Sequence, residues 1–262
     1  MPIPICLTIA GSDPSGGAGL QGDLKTFCVL GAYGMAVPTA ITVQNSLGVE
    51  KVHALAGDLV AEQIDALMRD SPPDAVKLGM LANGDVASAV ARSLQGRGIP
   101  LVIDPVGRST SGAALLDQAG AKHLCSDLLP LCTIVTPNAA EAGALVGREL
   151  HSLESVESAA LELLGQGPEA VLVTGGDSAP GSTEVIDVLA WKGQIRRLVS
   201  PRIDSRNTHG TGCALSAALC VALARGQSME AAVEFARGFV RECIQAPFAL
   251  GQGVWPVNHL RL

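Results

Sequence analysis

The stretch Ile5-Cys6-Leu7-Thr8-Ile9-Ala10-Gly11-Ser12-Asp13-Pro14-Ser15-Gly16-Gly17-Ala18-Gly19 sets the pattern of the whole chain. An apolar run of strand length passes into a glycine-rich turn, and helical spacing takes over from Gly19 to Leu30. Similar apolar runs recur at Ala36–Val43, Ala75–Met80, Leu101–Val106, Thr133–Thr136 and Ala170–Thr174. Between most of them lie segments with helical periodicity, at Leu59–Met68, Asp85–Leu94, Ala119–Leu129, Asn138–Leu145 and Val156–Leu164. Strand alternating with helix predicts an α/β fold with a mostly parallel central sheet covered on both faces. The alternation breaks after Thr174: Val185–Trp191 and Gln194–Val199, joined by Lys192-Gly193, read as a hairpin, and helices at about Gly212–Ala224 and Met229–Ala246 close the chain.

The length of 262 residues suits one large α/β domain, and with no linker, repeat or low-complexity stretch the reading is a single domain over 1–262. A net charge of −7 disfavours a nucleic-acid partner, and 3% aromatic residues leave few platforms on which bases could stack. The seven cysteines are scattered, without a C-x-x-C pair or metal-ligand spacing, which fits a reduced, cytoplasmic setting. No apolar run is long enough to cross a bilayer, and Ile3–Ala10 reads as a first strand and not as a signal peptide.

In open α/β sheets ligands bind beyond the carboxyl ends of the strands, and the polar residues gather there. Asn207-Thr208-His209-Gly210-Thr211-Gly212-Cys213, followed at once by an apolar helical run, has the form of an anion cradle. Its glycines let the turn approach a ligand, and the helix start aims unpaired amides and positive potential at it. Cys213 in that position is expected to have a stabilised thiolate able to take a proton from a hydroxyl; the plainer reading is a small packed cysteine. Gly17-x-Gly19-x-x-Gly22 matches a dinucleotide fingerprint in form only, because its glycines come well after the strand and no acid ends the second strand. Asp23 sits at the edge of a buried helical stripe and needs a partner, which a ring nitrogen, amine or hydroxyl of a small substrate would supply. Gln44 would read another polar edge of such a substrate; the bland alternatives are a helix-surface acid and a loop amide. Asp104, and Asn138 with Glu141, suit Mg²⁺ on nucleotide phosphates, while the spacing of the latter two fits a helix cap equally well.

Taken together, Leu7–Gly19, Asp23-Leu24-Lys25-Thr26, Lys77-Leu78-Gly79-Met80-Leu81, Asp104-Pro105-Val106, Thr136-Pro137-Asn138 and Asn207–Cys213 closely resemble the hydroxymethylpyrimidine/phosphomethylpyrimidine kinases of thiamine biosynthesis. These are members of the ribokinase-like superfamily, and the resemblance runs from about Ile5 to His259. It implies a ribokinase-like three-layer αβα sandwich, a homodimer, and ATP- and Mg²⁺-dependent phosphorylation of 4-amino-5-hydroxymethyl-2-methylpyrimidine and then of its monophosphate. It also implies that Gly11, Asp23, Gln44 and Met80 surround the pyrimidine, with Val106 nearby. Asp104, Asn138 and Glu141 would serve Mg²⁺ and the phosphates, and Gly210, Thr211, Gly212 and Cys213 would form the anion hole. Two positions depart from the pattern. Thr174 stands at the nucleotide-phosphate position where relatives usually carry lysine, and Gly107–Gly112 differs from the usual sequence, with Arg108 a candidate for the missing cation. The rival readings are a pyridoxal or pyridoxine kinase and a non-catalytic pyrimidine-binding homologue. Segments 108–113 and 177–183 are the expected lids.

Overall fold

The computed structural model describes residues 2–109, 112–176, 182–246 and 248–261. Its elements run β1 (Ile5–Ser12), α1 (Gly19–Val29), β2 (Tyr33–Asn45), β3 (Gly48–Ala54), α2 (Gly57–Asp70), β4 (Ala75–Leu78), α3 (Gly84–Leu94), β5 (Leu101–Ile103) and α4 (Gln118–His123). There follow β6 (Ile134–Val135), α5 (Ala139–Leu145), α6 (Leu153–Leu164), β7 (Ala170–Val173), β8 (Glu184–Trp191), β9 (Gln194–Pro201), β10 (Asn207–His209), α7 (Thr211–Ala224), α8 (Met229–Gln245) and β11 (Trp255–Pro256).

Among the described residues nine strands form one sheet in the order β3-β2-β1-β4-β5-β6-β7-β8-β9. Its centre, β2 to β7, is parallel, and β3, β8 and β9 are antiparallel at the edges. Strand alternation divides the core into two layers. Leu7, Ile9, Val76, Leu78 and Ile103 point to α2, α3 and the later helices on one face. Cys6, Ala75, Val102 and Ile134 point to α1, α7 and α8 on the other. A strand buried on both faces needs apolar residues at every position, so the central strands read as unbroken runs. Helix α7 is buried from Ala214 to Ala222, wedged between the sheet and its neighbours α1 and α8, as an all-apolar helix must be.

The expected α/β architecture is present, with three departures in detail. Strand β3, unforeseen, pairs antiparallel with the far half of β2, and its exposed Glu50, Lys51 and His53 give the charged sequence of an edge strand. The helix expected over 119–129 is regular only to His123, then widens into a π-helical turn over Leu124–Leu128 and ends in a 3₁₀ turn carrying Pro130. Short β10 and β11 pair apart from the main sheet and deliver the chain to α7. Parts of the two expected lids, residues 110–111 and 177–181, lie outside the described residues.

Candidate active site

The carboxyl ends of the parallel strands open into a cleft of about 750 Å³. Each strand brings its next residues to the cleft: Gly11 to Asp13 from β1, Met80 after β4, Asp104 after β5, Thr136 after β6 and Thr174 after β7. Gln44 and Val106 line the cleft, as do Asn138, Glu141 and the turn Gly210–Cys213. Asp23 does not.

The turn before α7 is shaped by contact. Gly210 has φ +85°, and a Cβ there would fall on the Gly17 carbonyl oxygen, so only glycine fits. Helix α7 begins with no side-chain cap and no acid in its first turn. Its first amides therefore face the cleft unanswered, the arrangement that binds an anion. Asp104 lies just below: a Cβ on Gly212 would stand 3.7 Å from its Oδ2, and Ser216 Oγ donates to that oxygen at 3.4 Å.

Under the cleft floor, Lys77 Nζ lies 2.8 and 3.0 Å from the two oxygens of Asp23, and Thr8 Oγ1 donates to Asp23 at 2.6 Å. Both charged side chains are 0% exposed. This corrects the expectation that a substrate partners Asp23: the protein partners it, and the carboxylate lies one layer beneath the cleft. Burial lifts the Asp23 carboxyl above its usual range, against the opposing pull of the Lys77 ammonium. Burial would strip Lys77 of its proton, but Asp23, Cys213 and Asp104 outweigh it and hold the ammonium charged well above its ordinary range. Lys77 also borders the cleft from below, its ammonium tied to Asp23.

Cys213 is half-buried, and here too the structure corrects the sequence reading. Burial pushes its thiol up to about 12, with the Asp104 and Asp23 carboxylates adding to the shift while Lys77 opposes it. The helix start alone favours a thiolate, but desolvation and two nearby carboxylates outweigh it. Burial likewise lifts Asp104, with Lys77 opposing and Asp23 adding.

On the opposite wall Met80 Sδ would meet a Cβ on Gly11 at 2.8 Å, so the glycine admits the methionine into the pocket. Gln44 Oε1 lies 3.1 Å from Thr42 Oγ1, which holds the carboxamide at the wall. Asn138 and Glu141 form a complete capping box at the start of α5, with both bonds at 2.9 Å. The cap reading of this pair holds, and the same two residues face the cleft. Thr174 bridges to Asn138, and Arg108 Nη1 donates to Gly112 O at 3.2 Å.

A second network ties the glycine loop together. Asp13 accepts from Ser15 N at 2.8 Å, Ser15 Oγ at 2.7 Å, Ala18 N at 3.0 Å and His209 Nε2 at 3.0 Å. Burial raises its carboxyl, but the bonds from His209 and Ser15 outweigh it and hold the carboxyl below its usual range. Sequence reasoning missed Lys77, Thr8, Asp13, His209 and Ser216. A signal existed for one: Lys77 is a charge inside an apolar strand run, and Asp23 a charge beside an apolar helix stripe, so each needed what the other supplies.

Among the described residues no group of three His, Cys, Asp or Glu side chains gathers as a metal centre. Of the cleft's carboxylates Asp13 is taken up by its own loop, while Asp104 and Glu141 fit a Mg²⁺ that keeps waters and phosphate oxygens as most of its ligands. The open amides of α7 and the Lys77 ammonium fit phosphate charge.

The phosphomethylpyrimidine kinase family model matches residues 13–258. The chain belongs to this family. A hydroxymethylpyrimidine/phosphomethylpyrimidine kinase of Synechococcus elongatus is 42% identical over 260 residues, covering 99% of this chain and 98% of that protein. The thiamine biosynthesis bifunctional protein ThiED of Geobacter sulfurreducens is 42% identical over 97% of this chain, which spans 52% of its length. Among solved structures, the pyridoxal kinase of Staphylococcus aureus in complex with AMP-PCP and pyridoxal superposes with a TM-score of 0.89 at 32% identity, covering 99% of this chain and 95% of that one. Membership of the phosphomethylpyrimidine kinase family agrees with the three-layer α/β fold and with a cleft at the strand ends.

Proposed function

We propose that this chain is a single-domain kinase, residues 1–262, that phosphorylates 4-amino-5-hydroxymethyl-2-methylpyrimidine and then its monophosphate, using MgATP, in thiamine biosynthesis. The observation that carries the reading is the uncapped start of α7, set above Asp104 and Lys77 and facing a pocket made by Gly11, Gln44, Met80 and Val106. The names of the relatives support the substrate, and the nucleotide analogue bound to the Staphylococcus aureus enzyme supports ATP.

Bound MgATP supplies the phosphoryl group and the cation that shields its charge. The chain's residues orient and neutralise. The amides of Thr211, Gly212 and Cys213 would receive the charge of the moving phosphoryl group, and Asp104 with Glu141 would hold the Mg²⁺ that comes with the nucleotide. Asn138 and Thr174 line the same cleft and would lie along the nucleotide phosphates, and Lys77 would supply from below a cation that Thr174 does not. The hydroxymethyl oxygen forms the new bond to phosphorus as the bond to the departing diphosphate oxygen breaks. A thiol held up to about 12 is protonated at neutral pH, so Cys213 first touches the hydroxyl as a neutral neighbour. It can take the hydroxyl's proton only as it gives up its own to an oxygen of the transferring phosphoryl group, late in the reaction, which a loose transition state tolerates. Asp23 acts beneath the ring by fixing Lys77.

The scattered free cysteines and the acidic charge support a cytoplasmic enzyme, and the family resemblance supports a homodimer. Pyridoxal carries an equivalent hydroxymethyl group, and the likeness to a pyridoxal kinase makes it the competing substrate to test. The deciding experiment follows ADP release from MgATP with the hydroxymethylpyrimidine, its monophosphate or pyridoxal, on wild type and Cys213→Ala. Turnover of both pyrimidines, cut about 10²-fold in the variant, is expected. Turnover of pyridoxal alone would move the chain to vitamin B6 chemistry, and binding without ADP release would mark a non-catalytic homologue.

A further inference from the structure

We infer that His209 is a positioning residue: through Asp13 it locks the loop between β1 and α1 onto the turn that opens α7, fixing the ring-binding half of the cleft relative to the phosphoryl-binding half. The inference rests on the kinase reading for what the lock does, but the lock itself stands on geometry.

The two loops come from residues 196 positions apart, and they meet along one seam. A Cβ on Gly17 would lie on the His209 ring, and a Cβ on Gly210 would lie on the Gly17 carbonyl oxygen, so backbone touches backbone with no room for a side chain. Across that seam the side-chain link is His209 Nε2 to Asp13 Oδ2 at 3.0 Å. The carboxylate only accepts, so the imidazole carries its proton on Nε2. The side chains are 17% and 4% exposed, which shields the pair from the solvent that weakens surface ion pairs. Each partner is anchored from behind. Asp13 holds Ser15 and Ala18 of its own loop, and the His209 carbonyl accepts from Val257 N at 3.0 Å beside β11. His209 is therefore a strut between two otherwise self-contained pieces, each carrying a different reactant.

In-line phosphoryl transfer is sensitive to such a strut, because a misplacement of about 1 Å costs on the order of 10²-fold in rate while leaving each reactant's own contacts in place. The lock should thus appear in kcat and not in nucleotide affinity. A merely structural histidine would change stability and both kinetic constants together.

The test compares wild type with His209→Ala, His209→Gln, His209→Glu, Asp13→Asn and the double variant Asp13→Asn/His209→Ala. Measured are kcat, KM for ATP and for the hydroxymethylpyrimidine, and amide hydrogen exchange at Ser15 and Ala18 without ligand. Expected are a kcat about 10²-fold lower in His209→Ala with KM for ATP within about twofold, and recovery to within about fivefold in His209→Gln, whose amide still donates to Asp13. His209→Glu, which repels Asp13, should be as poor as the alanine variant, and the double variant no worse than its worse parent. Faster exchange at Ser15 and Ala18 is expected in His209→Ala. Wild-type kcat in the alanine or glutamate variant, no recovery with glutamine, or unchanged exchange would each overturn the inference. Should His209→Ala fail to fold, the glutamine and glutamate variants decide alone. A wild type inactive on both pyrimidines would sink the substrate assignment instead, and the exchange measurement would still judge the lock.

Discussion

Two helices begin at the same cleft and begin in opposite ways. Helix α5 starts with a complete capping box, Asn138 and Glu141 satisfying each other's backbone amides. Helix α7 starts at a left-handed glycine, with no side-chain cap and no acid in its first turn. Elsewhere α3, α4, α6 and α8 are each capped by a side chain of the N-cap residue. Leaving a helix start uncapped costs about 1 kcal/mol, so an uncapped start aimed into a cleft points to a ligand that does the capping. The capped start of α5 serves the fold first, and reaches the cleft with what remains of its side chains. The contrast separates residues whose loss should stop chemistry from those whose loss should mainly loosen the fold.

The sharpest way to break the contrast is to give α7 the acid that α5 already has. Gly212→Asp places a carboxylate in the first turn, where its Cβ meets nothing nearer than Asp104 Oδ2 at 3.7 Å, so the backbone can carry the side chain. The charge occupies the anion seat and stands against Asp104. Because one lost oxyanion donor costs about 10²–10³-fold, kcat should fall by roughly 10³-fold or more, with the melting temperature little changed. A loss under about tenfold would mean that the open helix end does not hold the transferring phosphoryl group.

The same contrast explains what the sequence could and could not reveal. The alternation of apolar runs with helical spacing follows from burial on both faces of a parallel sheet, so most strands and helices were legible at the right places. Gly210-Thr211-Gly212 was legible as a cradle because the glycines and the following apolar helix are neighbours in the chain. Strand β3 was not, since an edge strand carrying Glu50, Lys51 and His53 lacks the apolar run that marks the others. The state of Cys213 came out reversed because the sequence displays the helix start but neither the burial of the thiol nor Asp104 and Asp23, which only folding brings to it. The same holds for Lys77 with Asp23 and for His209 with Asp13: each pair joins residues far apart in sequence, and no local pattern links them.

Helix α1, like α7, starts with neither a side-chain cap nor an acid in its first turn, with Ala18 at its N-cap, and acid should expose the difference. Its first-turn Gly22 packs against His259, for a Cβ there would stand 3.5 Å from Nε2, and that nitrogen has no hydrogen-bond partner among the described residues. Burial pushes His259 down to about 4, with Lys25 and His209 adding to the shift. Between the ordinary value of 6.5 and about 4, the unfolded chain takes a proton that the folded chain refuses. Stability is therefore whole above about 6.5, falls as pH drops through that window, and levels off for this group below about 4, a loss of about 3 kcal/mol in all. Urea midpoints measured across the window should show this slope, and His259→Phe should remove it whatever its stability at neutral pH. A slope that survives in the variant would assign the acid sensitivity to other groups.

The smallest effect is expected at the capped start, and it asks whether α5 serves the cleft at all. The cap uses Asn138 Oδ1, which accepts from Glu141 N, while Nδ2 has no partner among the described residues. Asn138→Ala should cost about 1 kcal/mol of stability by removing the cap. Asn138→Ser separates the two roles, because serine is as good a cap but has no amide to offer a phosphate. Stability should return to within a few tenths of a kcal/mol, while KM for ATP stays raised by about threefold to tenfold, the loss of roughly one hydrogen bond to a charged group. If the serine variant recovers stability and KM together, Asn138 is a cap and nothing more. The nucleotide would then be held by α7, Asp104 and Lys77, and the division between a helix start that builds the fold and one that binds the ligand would be complete.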